Sequence, residues 1–367
     1  MFHADVAIDA ASRELGQTKS HIDIDMGCGA SKPTDEGSAS GPGSAAKPAA
    51  AQTASSKLNV TSLEGIKPGT KELDVSESTG LTDLAGIGAL VEMTKFDANS
   101  CALTALPAEI EGCAALEELL VYGNKIKDVP KELGKCAALT TINCFNNQIK
   151  KLPPDMGGLA NLEEVNFAAN KLMMLTDAHF TSWSSVKILS LYDNNLVRMG
   201  SLAPLVGLEE LRINGNNLEE LPGLSMHEKL TVIEMHKNRF ATAADDYFKA
   251  TPALERLRID GNMLTALPPS LLALETLVGV QAQDNKLESL PAAAWPSKLE
   301  TLFLQGNEAL KTLPEELKAL KALKRLNLTG LTALDEPGVA IAKDIRMIVL
   351  TNDDGIFWGV SGKKELS

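Results

Sequence analysis

The stretch whose residue types and spacing could carry chemistry is Met26-Gly27-Cys28-Gly29-Ala30-Ser31-Lys32. It follows the M-G-x-x-x-S pattern, in which a glycine freed of its methionine takes a myristoyl chain. Cys28, next to that glycine, is placed for a second, thioester-linked palmitoyl chain. One such chain holds a membrane only marginally, whereas two hold it stably. Gly27 has a free α-amine only if translation starts at Met26 or the preceding segment is removed. The expected organisation is therefore an upstream extension over 1–25, without fixed structure. An acylation signal and flexible linker then run over 26–57. Residues 33–57 are mostly Gly, Pro, Ser and Ala, a composition that cannot bury enough apolar surface to fold.

No other group of reactive side chains has a spacing that suggests catalysis. The five histidines (His3, His21, His179, His227 and His236) form no metal-ligand pattern such as HxxxH. His179 and His227 read as surface residues of connecting segments. Gly86-Ile87-Gly88 lacks the third glycine of a phosphate cradle, and Asp353-Asp354-Gly355 reads as a turn. The cysteines are Cys28, Cys101, Cys113, Cys136 and Cys144, an odd number with no CxxC pair, which suggests a reducing, cytosolic compartment. Cys144 alternates with outward residues and should be inert core. The chain is read as a non-enzyme with no cofactor and no metal.

Bulk properties narrow the partners. The chain has 367 residues and a net charge of −13, which argues against a nucleic-acid partner. No apolar run is long enough to span a bilayer, and the first 25 residues lack the apolar centre of a secretory signal. Aromatic residues are only 4% of the chain, so the core is expected to be Leu, Val, Ile and Ala.

The elements that position any site come from a repeat. Leu116-Glu-Glu-Leu119-Leu-Val121-Tyr-Gly-Asn124-Lys-Ile126 recurs as Leu139-Thr-Thr-Ile142-Asn-Cys144-Phe-Asn-Asn147-Gln-Ile149. The same frame runs through Asn170, Asn194, Asn216, Asn238, Asn262, Asn285 and Asn307, at steps of 22 to 24 residues. Two looser units come first, with Ser78 and Cys101 at the Asn position, and one follows at Leu323-Lys-Arg-Leu326-Asn-Leu328, giving 12 units in all. Ile345-Arg-Met-Ile348-Val-Leu350 reads as a last apolar strand. Within each unit Leu119 and Val121 point inward and Leu120 and Tyr122 outward, because strand side chains alternate. The Asn amide sits where the chain turns away and can pair backbone groups that would otherwise be buried unpaired. Leu-Pro pairs such as Leu106-Pro107 and Leu267-Pro268 open the return path, and a short helix is expected after them. Helices are wider than strands, so the stack should curve with the sheet on its concave side.

At these residues the sequence resembles the leucine-rich repeat family. The LxxLPxxLxxL phrase at this period is similar to the cytosolic Ras-group subclass, which includes plant intracellular Ras-group-related proteins and Ras-pathway scaffolds. Arg198-Met-Gly-Ser and Phe240-Ala-Thr-Ala depart from that phrase. The resemblance implies an α/β solenoid, a right-handed β-α superhelix of horseshoe form. It would fill 58–350, with 351–367 as a C-terminal cap and tail. It also implies protein–protein interaction as a scaffold or adaptor in intracellular signalling. The alternative is a regulatory or substrate-recognition subunit of a separate enzyme, such as a phosphatase or a ubiquitin ligase.

One outward column reads Tyr122, Phe145, Ala168, Tyr192 along successive units, with Leu120 and Ile188 beside it. Ala168 should form a notch between flanking rings, as at an interface hot spot. Further along, Arg212, His236, Arg256 and Arg258 are expected to meet acidic groups of a protein partner. The expected location is cytoplasmic, with acyl chains tethering the chain to the cytosolic face of a membrane. Expressing the chain from Met26 with Gly27→Ala should move it from the membrane fraction to the soluble one. Identical fractionation of the two forms would remove the tether.

Overall fold

The computed structural model describes residues 57–154, 156–351 and 356–358, with side chains described through Ile345. Gly27 and Cys28 lie outside the described residues.

The repeat produces one short strand per unit. The strands are β1 (Glu72–Asp74), β2 (Lys95–Asp97), β3 (Glu118–Leu120), β4 (Thr141–Asn143), β5 (Glu164–Asn166), β6 (Ile188–Ser190) and β7 (Glu210–Arg212). They continue as β8 (Val232–Glu234), β9 (Arg256–Arg258), β10 (Gly279–Gln281), β11 (Thr301–Phe303), β12 (Arg325–Asn327) and β13 (Ile356–Trp358). All pair in parallel, in chain order, in one 13-stranded sheet. Each strand's central residue points into the core: Leu119, Ile142, Val165 and Leu189 are buried, as are Val121, Cys144, Phe167 and Leu191 two positions on. Pairing extends past the three-residue strands, since Gly123 N–H donates to the Phe145 carbonyl and Ala169 N–H to the Tyr192 carbonyl.

The turn after each strand explains the asparagine. The same turn position lies at positive φ in all twelve units, just before each of the eleven rungs from Glu77 (60°) and Ala169 (52°) to Gly306 (72°), and before Leu331 at Gly330 (76°) in the last unit. Left-handed backbone costs a non-glycine residue about 1–2 kcal/mol, so something must hold Ala169 and Lys237 there. The rung does so. Asn170 Nδ2 donates to the carbonyls of Phe167 and Ala168 in its own turn and of Cys144 in the preceding unit, while its Oδ1 accepts from Ile149 N–H. Asn147 and Asn194 bond in the same way. At the N-terminal end Ser78 Oγ donates to Leu58 and accepts from Val60 N–H, and Cys101 Sγ reaches the Val75 carbonyl.

Three sequence expectations are corrected. The short helices expected after Leu-Pro are 3-10 helices where they form, after Leu106-Pro107, Leu267-Pro268 and Leu313-Pro314 and likewise after Val129-Pro130, each preceded by an extended proline at the cap, and none follows Leu221-Pro222 or Leu290-Pro291. About five residues leave room for one tight turn and no α-helix; the exception is α1 (Asp177–Phe180), in a 24-residue unit. The core also contains Phe96, Phe167, Phe180, Trp183, Phe240 and Phe248, all fully buried. Phe180, Trp183 and Phe248 lie in the longer units, where the wider return path leaves more volume to fill. Finally, Ile345–Leu350 is part of α2 (Glu336–Thr351) and not a strand. Asp335 Oδ1 accepts from Gly338 N–H at its start, and Ile341, Ala342 and Ile345 follow helical spacing into the core. The closing strand is instead β13.

Removing a rung exposes this dependence. Asn170→Leu leaves the buried Ile149 N–H without its acceptor and takes one of two donors from each of three carbonyls, and should cost about 3 kcal/mol. Asn161→Ala, which loses one exposed bond to Ala137, should cost within about 0.5 kcal/mol. Urea unfolding followed by far-UV circular dichroism measures both, and equal losses would show that the amide ladder contributes nothing special.

Candidate binding face of the sheet

Strand alternation leaves three outward residues per unit, and strand register aligns them in columns. Along the third column Tyr122, Phe145 and Tyr192 are half-buried, while Ala168 between the last two is completely buried. The rings of Phe145 and Tyr192 explain this. They belong to units two strands apart, a distance of about 9.6 Å across a sheet, yet their centroids are 6.1 Å apart at 43°. They lean toward each other and cover Ala168. The expected notch is therefore closed: a methyl group supports the ring pair, and the surface offered is a continuous aromatic ridge. The Tyr122 N–H donates to Asn99 Oδ1 and the Phe145 N–H to Asn143 Oδ1, which hold the backbone under the ridge.

Leu120 and Ile188 share the face but not the ridge. Leu120 pairs with Asp97 and Asn143 in register, and Ile188 with Glu164 and Glu210. Ile188 is thus an isolated apolar residue in an acidic row. Burial pushes the Glu164 carboxyl above its ordinary value, with Glu163 adding to the effect.

The charged residues also differ from expectation. Arg212 Nη2 is held by Glu210 Oε2 at 2.5 Å, and Arg258 Nε lies 3.6 Å from Asp260 Oδ1. These two guanidinium groups already face carboxylates of their own chain, because charged residues at i and i+2 of a strand share a face. His236 is buried, 6% exposed, between the Asn214 and Asp260 positions, so it forms floor and not rim. Burial lowers it to about 3, with help from Arg258 and Lys237. Burial also raises Asp260 to about 6, against the pull of Arg258.

Sequence reading missed the most informative feature of this face. Asn214 Oδ1, His236 Nδ1, Arg258 Nε, Asp260 Oδ1, Gln281 Oε1, Gln283 Oε1, Thr301 Oγ1 and Gln305 Oε1 are buried and make no hydrogen bond. The run of glutamines in outward columns was the available signal.

Away from the sheet, His179 and His227 are buried, correcting their reading as surface residues. His179 Nδ1 accepts from Thr176 N–H as part of a capping box on α1, and its Nε2 lies 3.2 Å from the Leu152 carbonyl. His227 has the carbonyls of Ser225 and Leu202 at its two ring nitrogens. Cys113 and Cys136 approach the Ile87 and Ile110 carbonyls, and burial raises them to about 11 and about 12. Cys144 rises to about 12 for the same reason. Thiols held this far from ionisation are poor nucleophiles. A cavity of about 620 Å³ between return segments, bordered by Glu219, Pro222, Met226 and Tyr247, does not touch the sheet face.

The two titrating floor residues predict opposite pH effects. Folded Asp260 keeps its proton up to about 6, against 3.8 for the free side chain. Its contribution is thus most favourable at low pH and is lost as pH rises through that interval. Unfolded His236 takes a proton below 6.5 but the folded ring does so only near 3, so its contribution is lost as pH falls. Between about pH 7 and about pH 4.5, His236→Gln should flatten the loss of stability and Asp260→Asn should steepen it. Urea midpoints at the two values test both signs.

Comparison with known proteins agrees with this architecture. The family model described as Leucine rich repeat matches residues 160–218, and one described as Leucine Rich repeats (2 copies) matches 114–155. Osteomodulin of Bos taurus is 29% identical over 32% of this chain and 27% of its own length. Keratocan of Gallus gallus is 26% identical over 38% and 40%. The chain thus spans well under half of these curated relatives. Among solved structures, TLR13 in its complex with ssRNA13 superimposes with a TM-score of 0.65 at 20% identity, covering 79% of this chain and 43% of that one. The functional domain of InlJ from Listeria monocytogenes gives 0.57 at 19% identity, covering 79% and 63%. With its repeat, its parallel sheet and these matches, the chain has the leucine-rich repeat solenoid fold, and residues 114–155 and 160–218 match leucine-rich repeat family models.

Proposed function

We propose that the chain is a protein-binding scaffold that engages its partner through the exposed face of the sheet, with Tyr122, Phe145 and Tyr192 as the anchor. The observation that carries this reading is the Phe145–Tyr192 pair. Two half-exposed rings packed over a buried Ala168 are already fixed in place, so little side-chain freedom is lost on binding. Aromatic residues of this kind dominate interface energetics. Apart from Leu120 and Ile188, the surrounding positions from Asp97 to Glu210 are polar or charged and would form the solvated rim. Leucine-rich repeat proteins generally mediate protein–protein interaction, which supports the same reading.

The wider setting belongs to this proposal as well. Acylation at Gly27 and Cys28 would hold the scaffold at the cytosolic face of a membrane, and its role would be in intracellular signalling. The Ras-group phrase in the repeats is the sequence feature behind that assignment.

The test compares partner capture by the unmodified chain and by Phe145→Ala/Tyr192→Ala. Both substitutions lie on the outer face, so the double variant should keep its far-UV spectrum and most of its thermal stability. Capture of a partner identified by mass spectrometry should fall about ten-fold or more. Undiminished capture by a folded double variant would refute the aromatic anchor.

A further inference from the structure

Just beyond each rung the chain runs along one flank of the solenoid before its return path. In the four units from Asn124 to Asn194 these flanking segments are 125–128, 148–151, 171–174 and 195–198. Backbone bonds set them side by side in chain order. Lys150 N–H donates to the Lys127 carbonyl, Lys171 N–H to Ile149 and Val197 N–H to Met173, and Met174 pairs with Arg198. In each segment the second residue, Ile126, Ile149, Leu172 or Leu196, is buried in the core, and the others lie at the surface.

Two properties coincide on this flank. It carries six cations, Lys125, Lys127, Lys150, Lys151, Lys171 and Arg198, against one acid, Asp128. All six are exposed, and among the described residues none of them makes an ion pair. This cationic excess stands on a chain of net charge −13. Among the cations project Met173, Met174 and Val197, which are 59%, 53% and 48% exposed. They are three of the seven large apolar side chains exposed among the described residues. The strip ends at Glu219 and Glu220, which take the places of Val197 and Arg198 in the next unit. Asp177 and Asp193 stand at its margins, and Asp177 Oδ1 already accepts from Ser201 N–H.

Cations and apolar tips together select the occupant. Anionic phospholipid headgroups attract clustered Lys and Arg, and apolar side chains carried among them enter the boundary between headgroups and acyl chains. Methionine is unbranched and lysine has a long apolar stem, so both adjust to a fluid surface. Anchors for a folded protein or for nucleic-acid bases are largely aromatic, and no aromatic residue occurs in the four segments.

We propose that this flank rests on an anionic membrane surface, with the six cations on the headgroups and Met173, Met174 and Val197 in the boundary layer. The contact belongs to the repeats themselves. It depends neither on the acyl chains proposed at Gly27 and Cys28 nor on the ridge of Phe145 and Tyr192.

Vesicle sedimentation tests it. The full chain, produced in bacteria so that it carries no acyl group, is mixed with phosphatidylcholine vesicles with or without about one-third phosphatidylserine. It should bind the anionic vesicles about ten-fold more strongly than the neutral ones, and raising the salt should release it. Lys150→Glu/Lys151→Glu should weaken binding about ten-fold or more, and Met173→Ser/Met174→Ser about ten-fold. Lys229→Glu/Lys298→Glu makes the same charge change elsewhere and should bind like the unmodified chain. All six substituted residues are exposed, so the far-UV spectra should coincide.

Equal binding to the two kinds of vesicle, or an equal loss in Lys229→Glu/Lys298→Glu, would overturn the proposal. Pelleting without vesicles would assign the flank to a second copy of the chain. Loss of partner capture in Lys150→Glu/Lys151→Glu, with no vesicle binding by the unmodified chain, would assign it to a protein. Either result sinks the lipid contact. Binding by the acylated chain alone would leave the tether in place and remove only this contact.

Discussion

The structure depends on one buried hydrogen-bonding arrangement, the asparagine amide that ties each left-handed turn to the unit before it. Every strand must leave the sheet abruptly to keep a unit to some 23 residues, and the tight exit turns carbonyls toward the interior. Leaving them unpaired would cost about 1–3 kcal/mol for each buried group. Asn216 and Asn285, like the other rungs, give two N–H bonds within the turn or across it and accept one from the neighbour. A rung therefore has full value only when another unit stands before it. This makes the stack a one-dimensional assembly, in which stability propagates between neighbours.

That division of labour frees the outer face of the sheet. The inward residues and the rungs carry stability, so the outward columns can vary in chemistry from strand to strand. Units around β4 to β6 place rings there, and units from β7 to β11 place amides and charges. The polar part is not simply solvated: Asp260 and His236 are buried, displaced from their ordinary ionisation by burial, and several amide oxygens lack partners.

Much of the fold was legible because its determinants are local and periodic. A leucine that alternates with polar residues, an asparagine at a constant offset and a proline after leucine all state their roles within a single unit. The errors arose where local pattern was ambiguous. Ile345, Ile348 and Leu350 suit an apolar strand, yet Asp335 and Gly338 start a helix through them. His179 and His227 lie in segments that look like surface loops, but the return path of each unit packs against the next, and carbonyls there accept the imidazoles.

The candidate site shows the same boundary. Sequence by itself determined which side chains face outward and in what order, because strand alternation and a constant repeat length assign every residue to a column. It thereby named Tyr122, Phe145 and Tyr192 as surface aromatics. Only the tertiary structure decided that Phe145 and Tyr192 meet over Ala168, that Arg212 and Arg258 face carboxylates of their own chain, and that the glutamine oxygens are left without donors. Those outcomes depend on side-chain direction across neighbouring strands, and a repeat pattern specifies the spacing of the strands but not the lean of what they carry.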